Sequence, residues 1–426
     1  MENKDVPKTY FDRHIEELEE RRDRILSGNI NSIPLKFDRF RKWYPGVEKR
    51  KYVIITANQK VGKSKFADDI YVYDPFFYSL EHPTKVRYKV IYFTLEMGKK
   101  EKFNEFLSHL LMKLDEIRIS PSDLKSTNND NPVPQYVLDL LKTDKYQKYI
   151  KAFEECVTYV EHVKNPTGIN KYCRDFAMQR GHLVMKQGFY KDSITGNTVE
   201  TKIPDYYKPD DPEEYVTVII DNFSNLTKES GMSTRENIEK LSKYLITLRD
   251  QLEFSIVAVQ HQAQAQESLD NFKAMKLKPS PDGLADAKTT IRDANLGLGL
   301  FSPYKHGLQD YEGYDITKFK NRIRFLEIME DRDNGGAGQV CPLFFDGAVS
   351  VFYELPKSDN HKELNKIYKY MEQMDTPLPK DNPLPEDTSK INVSLMIKSI
   401  KYKAKYKNPF KGQINEFEGG CWLCTI

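Results

Sequence analysis

The amino-acid sequence predicts an α/β fold with a mainly parallel central sheet. Short runs of β-branched and aromatic residues, such as residues 52–56 and 216–220, have the length and composition of buried parallel strands. Amphipathic patterns with helical spacing follow several of these runs. Because strands and helices alternate along the chain, helical crossovers are expected to join strands that lie parallel.

The first predicted elements are a helix, a strand and a second helix. Apolar residues recur at helical spacing among many charges over residues 10–25, which predicts an amphipathic helix that Gly28 ends. This helix packs either on its own domain or on a neighbouring subunit. The strand at residues 52–56 follows, and the next helix is predicted over residues 65–73, stopped by Asp74-Pro75.

The same alternation continues through the middle and late parts of the chain. A strand at residues 90–94 leads into a long helical pattern, and a further strand ends in Asp221. A capping box formed by Ser233 and Glu236 begins another helix, which precedes a strand at residues 256–259. Further strands, with an antiparallel hairpin among them, are predicted at residues 298–301, 323–328 and 342–353.

Two regions interrupt the alternation and divide the chain. An insertion at about residues 115–215 contains helical pieces at residues 149–163 and 171–180 and a hairpin centred on Thr195-Gly196-Asn197. A Pro- and charge-rich linker begins the last segment. The predicted organisation is an N-terminal helix in residues 1–30, a main domain in residues 31–375, and a linker with a C-terminal tail in residues 376–426.

Composition limits the classes of protein to which the chain can belong. Of its 426 residues 39% are hydrophobic, and no apolar run approaches the roughly 20 residues that cross a bilayer. The five cysteines do not indicate a disulfide framework, and Cys421 and Cys424 are too few ligands for zinc. A cytoplasmic location without a membrane partner is therefore expected. The net charge of +2 means that nucleic acid, if bound, is bound by local patches.

The segment TANQKVGKSKFADD, which follows the strand at residues 52–56, nearly matches the phosphate-binding pattern G-x-x-x-x-G-K-S/T. In that pattern, backbone N–H groups and the lysine hold phosphates, and the hydroxyl binds Mg²⁺. Alanine stands at the first glycine position, where it is the mildest replacement. The residues predicted to bind a nucleotide are Ala57, Asn58, Gln59, Lys60, Val61, Gly62, Lys63 and Ser64.

Three polar residues follow three other predicted strands. Asp221 is in the usual place for an acid that holds Mg²⁺, Glu96 could polarise an attacking water, and His261 could sense a γ-phosphate. Taken singly, the two acids could be helix N-caps or solvated carboxylates, and His261 could be a structural histidine. Their joint position at the carboxyl edge of one sheet favours a site that hydrolyses a nucleotide.

A series of motifs in order resembles one known family. The segments INSIPLKFDRF, ANQKVGKS, TLEMGKKE, IIDNFSNL, IRDANLGLGLF and EDRDNGGAGQV occur in this order, and TRENIEKLSKYLITLRDQLEFSIVAVQHQ lies among them. Together they resemble the ATPase domain of DnaB-type replicative helicases, the hexameric superfamily 4 motors. The phosphate loop of that family also begins with alanine, as it does at Ala57. The resemblance implies that residues 31–375 form a RecA-like P-loop NTPase core.

The resemblance also implies a role for each matching residue of the nucleotide site. Lys63 would neutralise the β- and γ-phosphates of ATP, and Ser64 with Asp221 would bind Mg²⁺. Glu96 would orient the hydrolytic water. His261 falls on a glutamine of the family, for which phage relatives also use histidine, and would couple the γ-phosphate to the DNA-binding loop.

Arg332 falls on the arginine finger of the family, which acts in trans on the ATP of the adjacent subunit. Activity would then require a homo-oligomeric ring, which is a hexamer in the family, and the helix in residues 1–30 would be the linker helix that docks on the next subunit. Glu330 stands where the family has a lysine, which leaves the neutralisation of charge to Arg332. The alternative for Arg332 is a surface arginine in a Gly-rich hairpin.

Residues 262–282 and 283–292 lie where the family has its central DNA-binding loops. Lysines of such loops follow the phosphate backbone of single-stranded DNA without sequence preference. The alternative is a solvated surface loop. The lysines predicted to contact DNA are Lys273, Lys276, Lys278 and Lys288.

The sequence therefore predicts an ATP-driven, ring-forming 5′-to-3′ replicative DNA helicase that translocates on single-stranded DNA with ATP and Mg²⁺. A primase or a helicase loader is the expected further partner. No segment resembles the helical N-terminal domain of the family, and this with the composition indicates a phage or mobile-element protein that acts in the host cytoplasm. Two alternatives are a filament-forming RecA-family recombinase or annealing ATPase, and a degenerate RecA-like DNA-binding or structural protein.

Overall fold

The computed structural model describes residues 9–191, 196–263, 277–374 and 408–410, with the backbone alone described for Tyr10, Tyr190 and Lys191. Within these ranges the chain forms a nine-stranded sheet with apolar cores on both faces. The predicted α/β fold with a mainly parallel central sheet is confirmed.

The bounds of the helices and strands are as follows. The helices are α1 (Tyr10–Leu26), α2 (Lys63–Asp68), α3 (Asp74–Glu81), α4 (Lys99–Asp115), α5 (Pro121–Leu124), α6 (Gln135–Leu141), α7 (Asp144–Cys156), α8 (Pro166–Met178), α9 (Thr234–Leu252), α10 (Thr290–Asp293), α11 (Ile316–Phe319) and α12 (His361–Met374). The strands are β1 (Ser32–Pro34), β2 (Gly46–Glu48), β3 (Tyr52–Ala57), β4 (Arg87–Thr94), β5 (Val157–Val160), β6 (Gly181–Lys191), β7 (Thr198–Pro209), β8 (Glu214–Asp221), β9 (Ser255–His261), β10 (Leu296–Phe301), β11 (Asp310–Tyr311), β12 (Tyr314–Asp315), β13 (Ile323–Asp331), β14 (Val340–Asp346) and β15 (Val351–Glu354).

The central sheet has the strand order β15-β14-β13-β10-β3-β9-β8-β4-β5. The neighbouring strands from β10 to β5 are all parallel, whereas β13, β14 and β15 add antiparallel pairs at one side. These pairs include the antiparallel hairpin expected late in the chain. Because parallel strands end at the same edge, the segments that follow β3, β4, β8 and β9 converge at the carboxyl edge of the sheet.

Helices on both faces explain why the parallel strands are continuous apolar runs. Every position of β3 is buried. On one face α9 begins with the predicted capping box, in which the Glu236 N–H donates to Ser233 Oγ at 3.2 Å, and it buries Ile238, Leu241 and Leu245. Each large buried apolar side chain contributes about 1.5–3 kcal/mol. This packing stabilises the strands that carry the edge segments.

The helix after the phosphate loop is longer than predicted, and the expected stop at Asp74-Pro75 is wrong. A π-helical turn, Asp69–Tyr73, joins α2 directly to α3, so the backbone stays helical from Lys63 to Glu81. Pro75 lies in the first turn of α3, where proline is tolerated because its fixed φ suits a helix start and few N–H partners are lost.

The region predicted as an insertion contributes a strand to the central sheet. The helix expected at residues 149–163 ends at Cys156, and the next four residues form β5, which pairs in parallel with β4 at the sheet edge. A β-branched, aromatic sequence, Val-Thr-Tyr-Val, explains the change from helix to strand. The predicted helix after it is α8, and the predicted hairpin is the β6–β7 pair.

Helix α1 is anchored by ion pairs and leaves an apolar stripe exposed. Arg24 donates to both carboxylate oxygens of Glu213 at 2.5 and 2.6 Å. Phe11, Leu18 and Ile25 recur every seventh residue and are 68%, 49% and 54% exposed. In the part of the chain that the structure describes, no helix is both long and apolar enough to cross a membrane.

Candidate active site

The topology brings four sequence-predicted segments to one edge of the sheet. Ala57 is paired with His261 in the β3–β9 register, and Thr94 is paired with Asp221 in the β4–β8 register. Glu96 follows β4 by two residues. The phosphate loop, Glu96, Asp221 and His261 therefore begin from the same level of the sheet, as the sequence predicted.

The phosphate loop has the backbone conformation that its glycine permits. Gly62 has φ +107°, and a side chain there would also meet the ring of Phe345 at 3.1 Å. Only glycine satisfies both conditions without strain. Ala57 is the last residue of β3 and has no positive φ, so alanine is accommodated at the position where the general pattern has glycine. Asn58 and Val61 are buried, whereas Gln59 and Lys60 are exposed.

Lys63 begins α2 and lies over the loop. Its Nζ donates to the carbonyl oxygens of Ala57 at 3.1 Å and Asn58 at 3.2 Å, and the side chain is buried. An ammonium group and the free N–H groups of a helix start attract anions. The loop is therefore built to receive phosphate.

Ser64 and Asp221 are in direct contact. Ser64 Oγ donates to Asp221 Oδ1 at 3.0 Å, and the Tyr92 hydroxyl donates to Asp221 Oδ2 at 2.9 Å. A hydroxyl and a carboxylate are suitable ligands for Mg²⁺, which takes few protein ligands and completes its shell with water and phosphate. The described residues contain no cluster of three histidine, cysteine or acidic side chains for a metal, which fits a site completed by phosphate oxygens.

Glu96, Asn222 and His261 form a second group beside this pair. The Asn222 amide nitrogen donates to Glu96 Oε2 and lies 3.0 Å from His261 Nε2, and Glu96 Oε2 lies 4.0 Å from the same nitrogen. Burial, followed by the charge of Lys63, lowers the pKa of His261 to about 4. The imidazole is therefore neutral at pH 7 and accepts the amide hydrogen. Glu96 is half exposed and faces solvent from the site.

Sequence reasoning missed Asn222, which links the two predicted residues. The signal was its position directly after Asp221, where the backbone of β8 reaches the edge. An amide there donates to one neighbour and leaves its oxygen for another, which accepts the Ser224 N–H at 3.0 Å.

A buried network of charges lies beneath the Asp221 carboxylate and was also missed. Lys102 Nζ donates to Asp68 Oδ2 at 2.8 Å and lies 3.5 Å from Asp221 Oδ2 and 3.8 Å from Glu105 Oε2. Burial raises the pKa of Asp68. Burial alone would lower the pKa of Lys102, but the surrounding carboxylates raise it, so the ammonium stays charged. The sequence KKEK had the pattern of a solvated helix face.

The structure does not bring Arg332 to the other predicted residues. Asp331 is paired with Leu296, the first residue of β10, so Arg332 follows β13 at the amino edge of the parallel strands. The length of β10 separates the two edges by on the order of 15–20 Å. The Arg332 N–H donates to the Asn295 carbonyl oxygen at 3.1 Å, and its side chain is exposed.

The predicted DNA-binding lysines have different surroundings. Lys273 and Lys276 lie outside the described residues. Lys278 Nζ lies 3.2 Å from Glu327 Oε2 on β13, whereas Lys288 is exposed.

The segment that carries Lys278 and Lys288 is held to the sheet by two glutamines. Gln262 donates to Thr56 Oγ1 at 3.0 Å and to the Ser280 carbonyl oxygen at 3.1 Å. Gln260 donates to the carbonyl oxygens of Ala285 and Ala287. A change at the end of β9 therefore reaches this segment directly.

Comparison with solved structures identifies the fold. The chain is similar to a DnaB-like replicative helicase described with its interactions with primase, with a TM-score of 0.57 and 17% identity over 82% of this chain and 69% of the other. It is also similar to the ATPase domain of a phage DnaB-like replicative helicase, with a TM-score of 0.55 and 17% identity over 82% of this chain and 100% of the other. A KaiC-like protein, PH0186 from Pyrococcus horikoshii OT3, gives a TM-score of 0.41 at 12% identity over 77% of this chain and 100% of the other.

No protein-family model and no curated protein matches the sequence. At these low identities the structural likeness shows the fold alone. The chain has the RecA-like fold of an ATPase domain, as the sequence motifs predicted.

Proposed function

We propose that the protein is an ATP-driven, ring-forming replicative DNA helicase that translocates 5′ to 3′ on single-stranded DNA. The observation that carries the proposal is the 3.0 Å hydrogen bond from Ser64 Oγ to Asp221 Oδ1, which joins the phosphate loop to the carboxylate at the end of β8. A hydroxyl and an acid in contact at the start of a helix are typical of a site for Mg²⁺ and a nucleoside triphosphate. The ATPase-domain fold supports nucleotide binding.

ATP and Mg²⁺ are the cofactors in this proposal. The N–H groups at the start of α2 and the Lys63 ammonium would hold the phosphates, and Ser64 with Asp221 would hold the metal. When bound, Mg²⁺ neutralises charge that develops on the β- and γ-phosphates.

Glu96 is the candidate for orienting the attacking water. Its carboxylate is half exposed at the edge, and the Asn222 amide fixes one of its oxygens while leaving the other available. His261, held neutral by burial, contacts the same amide. Through Asn222, a γ-phosphate near His261 would be coupled to the position of Glu96, and through β9 to the segment held by Gln260 and Gln262.

Arg332 would complete the ATP site of an adjacent subunit. Its exposed side chain follows β13 at the amino edge, so it is too far from the loop of its own chain. An arginine supplied in trans accelerates phosphoryl transfer by stabilising charge on the leaving group. Lys278 and Lys288, with Lys273 and Lys276, are proposed to follow the phosphate backbone of DNA, and Lys288 is supported by its exposure.

The Glu96→Gln variant tests the mechanism. We expect wild-type protein to hydrolyse ATP faster with oligo(dT), and the variant to lose turnover by about 100-fold or more while it still binds ATP, because the amide cannot accept a proton from water. Turnover is measured by phosphate release and binding by a fluorescent ATP analogue. Glu101→Gln, an exposed acid on α4, is the matched control and should keep full turnover. Normal turnover in Glu96→Gln would refute the assignment.

Electron microscopy with an ATP analogue and single-stranded DNA separates the proposed assembly from the filament alternative. Closed rings with one strand in the central channel are expected. Extended filaments would instead favour a recombinase or annealing ATPase, and particles without nucleotide would favour a structural DNA-binding role.

A primase or a helicase loader is the proposed protein partner. The proposal derives from the DnaB-like helicase in the comparison, whose structure was described with its interactions with primase. Mixing the purified protein with the primase of the same genome should give a co-eluting complex on gel filtration, and independent elution would count against this partner.

A further inference from the structure

Arg324 lies in β13 directly behind the phosphate loop and is the largest side chain that the described residues bury completely, with 1% exposed. Its Nε donates to the carbonyl oxygen of Val61, within the loop, at 2.7 Å. Its guanidinium lies 4.7 Å from the centre of the Phe345 ring, and that ring faces Gly62. One buried cation therefore contacts the loop both directly and through an aromatic ring.

The hydrogen-bond partners of Arg324 are all uncharged. Nη1 donates to the carbonyl oxygens of Asn321 at 2.9 Å and Ile323 at 2.8 Å, and Nη2 donates to Asn321 Oδ1 at 2.9 Å. In the described ranges no carboxylate forms an ion pair with this guanidinium. Burial lowers the pKa of Arg324 to about 10, which leaves the group protonated at neutral pH.

A buried cation without a counter-ion is costly for a folded protein. Hydrogen bonds to carbonyl groups satisfy the donors but do not neutralise the charge, so the free protein keeps a desolvation penalty. The loop that Arg324 contacts is the one proposed to receive a polyanion. The phosphates of a bound nucleotide would supply the negative charge that the protein itself does not place beside this residue.

We propose that Arg324 is a positioning residue of the phosphate loop, which fixes the Val61 carbonyl towards the sheet and favours ligands with more phosphate charge. With that carbonyl held back, the following N–H groups of Gly62 and Lys63 are left to face the ligand. The inference rests on the proposed nucleotide-binding function and extends it, because it predicts a preference for a triphosphate over a diphosphate that originates behind the loop.

The test compares nucleotide affinity across variants that separate charge from shape. Dissociation constants for ATP and ADP, each without Mg²⁺, are measured by competition with a fluorescent analogue, and melting temperatures are recorded without nucleotide. Arg324→Gln and Arg324→Met should weaken ATP binding by about tenfold and ADP binding by less, because the lost attraction scales with ligand charge. Arg324→Lys should keep the wild-type ratio of ATP to ADP affinity. Arg322→Gln, two residues earlier and bonded to α12, should change neither constant.

The melting temperatures separate positioning from simple structural support. Since the methionine side chain carries no charge to desolvate, Arg324→Met should fold and melt no lower than wild type without nucleotide. If Gln and Met variants melt much lower, or if ATP and ADP affinities fall equally in the Gln, Met and Lys variants, Arg324 is structural and the inference is wrong. If wild-type protein binds neither nucleotide, the proposed function itself fails, and this result is recorded before any variant is compared.

Discussion

Lys102 shows how one residue supports the candidate site from below without reaching its surface. Its ammonium lies within 3.8 Å of three carboxylates, those of Asp68, Glu105 and Asp221, and all four side chains are buried. The Glu105 carboxylate has a second partner, Lys65 Nζ at 2.8 Å. Two lysines thus balance most of the negative charge beneath the proposed metal ligands.

Removing Lys102 should be strongly destabilising. Lys102→Met leaves buried carboxylates without a counter-ion, and we expect a loss of about 3–5 kcal/mol in the free energy of unfolding, measured with urea. Lys100→Met, an exposed change on the same helix, is the control and should cost less than about 0.5 kcal/mol. The double variant Lys102→Met with Asp68→Leu should recover part of the loss. An additive double variant would show that the pair does not interact as described.

His109 makes stability depend on pH. Burial, and then the charges of Lys36 and Lys113, lower its pKa to about 3, and Nδ1 lies 3.1 Å from the Val349 carbonyl oxygen. Below the unfolded pKa of about 6.5 the unfolded chain binds a proton that the folded chain refuses, so stability is full above that pH and falls as the pH falls towards 3.

We expect His109→Gln to remove this dependence. Between pH 6.5 and pH 5 wild type should lose about 2 kcal/mol from this residue, and the variant should lose that much less, in urea unfolding at both values. His162→Gln, at an exposed histidine, should keep the wild-type dependence. Equal acid sensitivity in wild type and His109→Gln would contradict the prediction.

At the scale of elements, the parts of the site that the sequence predicted are those that follow strands. Lys63, Ser64, Glu96, Asp221 and His261 were predictable as neighbours because each follows a recognisable apolar run, and parallel strands end together. Their side-chain partners were less accessible. These partners depend on contacts between distant segments, which local pattern does not contain.

Charged residues in the core were the hardest to predict. Lys102 and Arg324 occur in ordinary charged sequence, and only the packing of α4 and β13 against the loop shows that they are buried. Pro75 and the strand β5 failed for a different reason. In both cases tertiary context overrode a local signal, because a proline in a first helical turn and a short β-branched run are compatible with more than one structure.

The turn after β13 provides a prediction about cooperation between subunits. Arg332→Ala and Lys63→Ala should each be inactive alone, since one lacks the finger and the other lacks the phosphate ligand. Mixed in equal amounts they should recover part of the ATPase activity, because some interfaces then combine an intact loop with an intact arginine. The two inactive proteins measured separately are the controls. Absence of recovery in mixed assemblies of confirmed composition would argue against action in trans.

For the whole molecule, α1 provides a test of assembly. Its exposed stripe of Phe11, Leu18 and Ile25 is proposed to dock on the next subunit, so replacing Leu18 and Ile25 by serine should shift the protein towards monomers in light scattering with ATP and Mg²⁺. The fold should persist because these side chains are not in the core. Replacing the exposed Glu16 by glutamine is the control and should leave the mass unchanged. Unchanged assembly in the serine variant would place the interface elsewhere.

The position of Arg332 at the amino edge of the sheet has a consequence for any assembly of copies. If each copy has its loop at one edge and its finger at the other, the contact is head-to-tail, and an open row of n copies contains only n − 1 complete sites. Closure into a circle removes the two unfinished ends. Turnover per chain should therefore rise with the degree of closure, and short open oligomers should show a deficit that depends on their length. Ring formation would then be part of the catalytic arrangement as well as a means of encircling a strand.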